Sequence, residues 1–169
     1  MPQDLGPTTT HEHLFIVFTC MFKMPVEASE RHKATQPLTM ENLDWVRYDP
    51  FRNMDNLLLT DEEATIAEAG IFKRAGGGGI VDATTIGIGR DPLALARVAR
   101  ATGVNIVMGA GYYIGAVHPP EMDDWTDDHV AGQIVDELTT GVGSTGVRAG
   151  IIGELGCSWP LEDNERKVL

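Results

Sequence analysis

The chain has 169 residues, 43% hydrophobic and 22% charged, the make-up of a single globular domain with a real core. With 25 acidic against 13 basic side chains its formal charge is −12, so it lacks the basic face that nucleic acid or an anionic membrane surface requires. No run approaches the ~18 apolar residues of a bilayer span, MPQDLGPTTT lacks the basic and apolar regions of a secretion signal, and Cys20 and Cys157 without C-x-x-C spacing point to free thiols in a reduced, cytoplasmic setting.

In chain order, "TTTHEHLFI" (8–16) reads as a first strand. Residues 15–59 form a long, irregular insertion rich in Met, Pro and aromatics. A long loop after a strand's C-terminal end belongs to the active-site face of a parallel α/β protein. Thr60 with Glu63 spells a capping box, and Ala64, Ala67, Ile71 and Ala75 follow at helical spacing as the expected inward face. The glycines at 76–79 stop that helix, and "IVDATT" (80–85) is a short buried strand. Asp91 before Pro92 is an N-cap with proline at the first helical position, and Leu95, Val98 and Ala99 point inward. "VNIVMGAG" (104–111) is another buried strand. Thr126 opens a helix carrying Val130, Ile134 and Leu138, "AGIIGEL" (149–155) is a further strand, and "LEDNERKVL" starts a last helix.

Apolar strands without polar alternation, separated by amphipathic helices, mean βαβ units and a parallel sheet. Two architectures fit. A doubly wound nucleotide-binding sheet would show G-x-G-x-x-G straight after a strand; Gly87 and Gly89 follow the second strand, but Pro92 stands at the third glycine position. The other is a TIM (β/α)₈ barrel, which needs about 250 residues. Four units make half of one, so residues 1–169 are expected to be the N-terminal half of a single barrel domain of about twice the length.

The chemistry-bearing candidates lie at strand ends. His11 and His13, two apart on an extended strand, point to one side, where a divalent ion could reach both imidazoles; polar strand-end histidines need no such ion. Glu154 sits in a strand otherwise built of Ala, Gly, Ile and Leu, so its charge calls for a partner or a metal, or Arg148 as an ion-pair mate. Asp82 has the same problem in "IVDATT" and suits a hydrogen bond to a ligand histidine. Tyr112 and Tyr113 end the third βα strand and either pack a loop or line a substrate pocket, where a phenol can hydrogen-bond a metal-held hydroxide. His32, His118 and His129 read as solvated.

Taken together, "DLGPTTTHEHLF", "GGIVDATTIGIGRDPLALARVARATGVNIVMGAGYY" and "STGVRAGIIGELG" resemble the phosphotriesterase family of the amidohydrolase superfamily. The resemblance implies a metal-dependent (β/α)₈ hydrolase with two divalent ions, usually zinc, at the C-terminal mouth. It makes His11 and His13 ligands of the first metal and Tyr113 a pocket-lining aromatic. The family's bridging residue on strand four is often a carboxylated lysine in an "AGIIK"-like stretch. Here "AGIIGE" has Gly153 at that position, and a glutamate-bridged branch of the family hands the role to Glu154. Because neighbouring strand side chains face opposite ways, a bulge or twist must then bring Glu154 inward. The remaining metal ligands, two histidines and a last-strand aspartate, would lie beyond Leu169, so these 169 residues by themselves are expected to be inactive.

The implied reaction is attack of a metal-bridging hydroxide on a small-molecule ester, ranked lactone or carboxylic ester first and phosphotriester second. The rival readings are a non-catalytic ligand-binding relative and a mononuclear deaminase of the same superfamily. An open half-barrel exposes unpaired strand edges, and a homodimer is the expected way of covering them.

Overall fold

The computed structural model describes residues 5–169. Chain order runs β1 (Thr8–Glu12), β2 (Ile16–Val17), α1 (Leu43–Tyr48), β3 (Leu58–Leu59), α2 (Glu62–Arg74), β4 (Gly79–Asp82), α3 (Pro92–Thr102), β5 (Asn105–Ala110), α4 (Asp127–Thr139), β6 (Ile151–Ile152) and α5 (Asp163–Val168), with short 3₁₀ helices in the β2–α1, α1–β3 and β5–α4 connections. The main sheet has the order β1-β4-β5-β6. All its pairings are parallel. It curls into a half-barrel, so the expected βα order and parallel sheet are what the chain adopts. Among the described residues no helix is long and apolar enough to cross a membrane.

The strands are shorter than their apolar runs. β6 holds only two ladder residues of the "AGIIGEL" run, yet Gly150 N–H donates to Met108 O and Gly153 N–H to Ala110 O, so the chain continues beside β5 on both sides of it. Helices α2, α3 and α4 cover the outside of the sheet. Their inner faces supply Ala69, Ala94, Leu95, Val98, Val130 and Ile134 to a core shared with Ile80, Val104, Met108 and Ala110. At about 25 cal/mol per Å² of apolar surface removed from water, the Leu, Ile, Val and Met side chains among them each contribute on the order of 2 kcal/mol, and the alanines less than half of that.

The caps of α3 and α4 are as read: Asp91 Oδ1 accepts from Ala94 N–H and Thr126 Oγ1 from His129 N–H. The start of α2 is a correction. Its N-cap is Asp61, whose carboxylate accepts from Ala64 N–H, rather than Thr60. Its inward face is also rotated: Ile66, Ala69 and Phe72 pack on the core while Ile71 is 52% exposed. Alanine suits either face, so the Ala-Ala-Ile-Ala spacing set no phase, whereas Ile66 and Phe72 need burial.

The segment after β1 is an excursion with its own small core. β2 and β3 pair antiparallel and close its base, Val17 opposite Leu58. Ala34, Val46 and Leu57 are buried outside the main cluster. Asn53, fully buried, donates from Nδ2 to Lys33 O and Gln36 O and accepts at Oδ1 from Asn56 N–H. One amide side chain thus serves three backbone groups of the excursion.

Candidate metal centre

His11 lies in the last turn of the β1 pleat and His13 one residue past its end, so both imidazoles emerge at the C-terminal edge of the sheet with ring centroids 5.3 Å apart. Glu154 comes to them from beyond β6. Its Oε2 lies 3.0 Å from His11 Nε2 and its Oε1 3.5 Å from His13 Nε2. One ligand atom from each of the three side chains falls within 4.8 Å of the others, the sole such group of His, Cys, Asp and Glu among the described residues. Arg148 takes no part.

The inward turn of Glu154 has a visible cause. Gly153 follows the last ladder residue with φ 126, in the left-handed region that side chains resist. Its carbonyl then crosses over β5 at Gly109, where a Cβ on Gly109 would stand only 2.0 Å from that oxygen. Past the crossing, Glu154 N–H donates to Ala83 O, and Glu154 O accepts from Thr85 Oγ1, both at 3.0 Å. Two glycines thus let the chain leave its own edge and anchor on the end of β4, which supplies the twist that strand alternation demanded.

The donor set fits a divalent cation. Ligand bonds of about 2.0–2.1 Å at tetrahedral angles put neighbouring donor atoms about 3.3 Å apart, and the two contacts to Glu154 bracket that span. Imidazole and carboxylate donors suit zinc and neighbouring transition metals.

The surrounding residues depart from expectation in three places. Asp82, fully buried, makes no bond to a histidine: its carboxylate accepts from Leu14 N–H at 2.7 Å and Thr84 N–H at 3.1 Å. Burial raises its pKa against the pull of those amides. The residue that touches His13 is Thr84, whose Oγ1 lies 3.0 Å from His13 Nδ1. Tyr112 and Tyr113 part company. Tyr112 is 2% exposed, its hydroxyl bonded to Gln133 on α4 and its ring against Trp125; burial pushes its pKa up to about 12. Tyr113 stays on the site's side, its pKa raised by desolvation and then by the Glu154 charge, so the phenol keeps its proton at neutral pH. His118 is held rather than solvated, its Nε2 2.7 Å from Tyr113 O.

Besides Thr84, two features were not singled out from sequence. Phe18 and Phe51, from the excursion, extend Tyr113 into an aromatic wall with centroid separations of 5.6 and 6.3 Å; the aromatic content of residues 15–59 was the available signal. Arg90, 5% exposed, forks onto Glu137 at 2.7 and 2.6 Å and donates to Gly109 O at 2.9 Å, bracing β5 where Gly153 crosses it. In sequence Arg90 is simply the residue before the Asp91 cap, and nothing local points to Glu137.

Residues 1–169 match the phosphotriesterase family. N-acetyltaurine hydrolase from Xenopus tropicalis is 46% identical over 169 residues, 99% of this chain and 48% of that protein, so the chain spans about half the length of the curated relatives it matches. Among solved structures, a resiniferatoxin-binding protein from Rhodobacter sphaeroides superposes with a TM-score of 0.95 at 41% identity, over 98% of this chain and 46% of that one. The phosphotriesterase homology protein from Escherichia coli, complexed with phosphate in its active site, gives 0.71 at 26% identity over 98% and 47%. The four parallel strands correspond to the N-terminal part of that fold's (β/α)₈ barrel. The chain belongs to the phosphotriesterase family.

Proposed function

We propose that the protein is a metal-dependent hydrolase of a small-molecule acyl compound, with His11, His13 and Glu154 holding a divalent ion, zinc by the chemistry of the donors. The observation that carries this reading is the convergence of the three side chains, with Glu154 3.0 and 3.5 Å from the two imidazoles. An ion held there supplies Lewis acidity, lowering the pKa of a bound water towards ~7 and polarising a carbonyl. Further ligands for a second ion, which the family resemblance implies, complete the binuclear form of this reading.

The chain's own residues supply orientation. Glu154 is fixed at its backbone by Ala83 and Thr85 and so reaches the histidines as a placed group rather than a swinging one. Tyr113, protonated at neutral pH, donates a hydrogen bond towards a substrate oxygen, and the Phe18–Phe51 wall receives an apolar portion and excludes water. The substrate bond follows the relatives: the name of the Xenopus tropicalis protein favours an N-acyl amide, ahead of the lactones and carboxylic esters that share its acyl carbon, with phosphotriesters last.

The test uses full-length protein. Metal analysis should find bound zinc, and N-acetyltaurine and simple lactones should be hydrolysed, with Glu154→Gln lowering both metal content and kcat/KM at least 100-fold. Full turnover after removal of the metal by a chelator overturns the reading. A second reading, ligand binding without turnover, is favoured by the 41% identity to the resiniferatoxin-binding protein. Tight binding of an apolar ligand by metal-loaded protein with no product formed selects it.

A further inference from the structure

We infer that Thr84 is a positioning residue that fixes the tautomer of His13, holding the proton on Nδ1 so that the Nε2 lone pair faces Glu154 and the ion. This deepens the metal-centre reading and rests on it for its functional consequence. The argument counts protons. Thr84 is 1% exposed, with no access to water. Its Oγ1 lies 3.0 Å from two groups, Phe15 O and His13 Nδ1. A carbonyl can only accept, so the single hydroxyl proton goes to Phe15 O. The Thr84 oxygen is then left with lone pairs alone towards His13, and the contact is a hydrogen bond only if Nδ1 carries a proton. The opposite tautomer sets two acceptors against one proton and leaves a buried group unpaired.

The rest of the structure reinforces this assignment. Thr84 N–H donates to Asp82 Oδ1, and Asp82 Oδ2 accepts from Leu14 N–H, the residue next to His13. One buried carboxylate thus ties the loop bearing Thr84 to the loop bearing His13 and sets the spacing of the hydroxyl–imidazole contact. His11 has no counterpart. Its side chain is 57% exposed and, among the described residues, nothing bonds its Nδ1. The two ligands are therefore unequal: His13 is preset and His11 is free to choose. A metal-ligating imidazole held by its second nitrogen gains basicity and orientation, and loss of such a partner commonly weakens metal affinity 10–100-fold.

The test is nitrogen NMR on full-length protein labelled with ¹⁵N only in its histidine side chains, at a pH where imidazoles are neutral, with His13→Asn used to assign the signals. In the metal-free wild type, His13 should show a protonated Nδ1 and a bare Nε2. Thr84→Val should mix or invert that pattern while leaving His11 unchanged, and Thr84→Ser should restore it. In parallel, calorimetric titration with zinc should give a dissociation constant 10–100-fold weaker for Thr84→Val and near wild type for Thr84→Ser. A wild-type His13 protonated at Nε2 overturns the proposal, and that measurement needs no variant to fold. So does a Thr84→Val protein whose tautomer and zinc affinity both match wild type. If no form binds zinc, the metal-centre reading fails, and the tautomer measurement still decides the role of Thr84.

Discussion

Gly109→Ala tests how the carboxylate reaches the histidines. The added Cβ would stand 2.0 Å from Gly153 O and 3.1 Å from Gly153 C. An ordinary carbon–oxygen contact needs about 3.4 Å, so the crossing chain must lift by on the order of 1 Å, several times the ~0.2 Å tolerance of metal–ligand bonds. The displaced peptide carries Glu154, whose N–H and C=O bonds to Ala83 and Thr85 would stretch with it. The expected result is a zinc affinity at least tenfold weaker in calorimetric titration, with about 1–3 kcal/mol lost in urea unfolding from overpacking. Gly132→Ala is the matched control. It lies in exposed α4 with nothing within 4 Å of the added carbon, so the same chemical change should stabilise by about 0.5–1 kcal/mol through helix propensity and leave zinc binding alone. Equal zinc affinity in Gly109→Ala and wild type would refute the claim that this crossing places Glu154.

Arg90→Met should destabilise the protein by about 3–5 kcal/mol, because it strands the Glu137 carboxylate, 14% exposed, and the Gly109 carbonyl; the double change with Glu137→Leu should recover much of that in the same denaturant titration. Acid sensitivity should trace in part to Glu165. Burial would raise its pKa, but the N–H groups of Gly115, Glu162 and Ser158 bring it to about 2, below the ordinary 4.5. Because the folded-state value is depressed, the stabilisation, about 3 kcal/mol, is complete above pH ~4.5 and disappears as the pH falls towards ~2. Glu165→Gln should flatten stability against pH in that window, and an unchanged slope would count against the assignment.

The order of elements was legible because a parallel sheet covered on its outer face turns strands into unbroken apolar runs, and those runs stand out against the capped helices between them. What failed was phase. In α2 the alanines carried no preference, and the N-cap fell one residue late because Thr60 and Asp61 are both competent caps. The ends of strands were also overestimated, since the last residues of "IVDATT" and "AGIIGEL" leave the ladder to build the site.

The site divides along a similar line. His11 and His13 advertise themselves because their spacing is local, and Glu154 does so because a charge in an apolar strand requires explanation. Their meeting depends on something no pattern displays, the missing side chain of Gly109 beneath the Gly153 carbonyl. The supporting groups are hidden for the same reason: Thr84 lies 71 residues from His13, and Arg90 lies 47 from Glu137. Asp82 was expected to bond a histidine and does not: its carboxylate is taken up by the amides of Leu14 and Thr84, the neighbour of His13 and its hydrogen-bond partner. A buried carboxylate needs donors, and two fixed N–H groups satisfied it before any imidazole could. Candidate donors in this fold are therefore written in single residues and can be picked out from one sequence, whereas their orientation is written in pairs brought together by the parallel strands, and only coordinates reveal which of the polar residues at a strand end touches which.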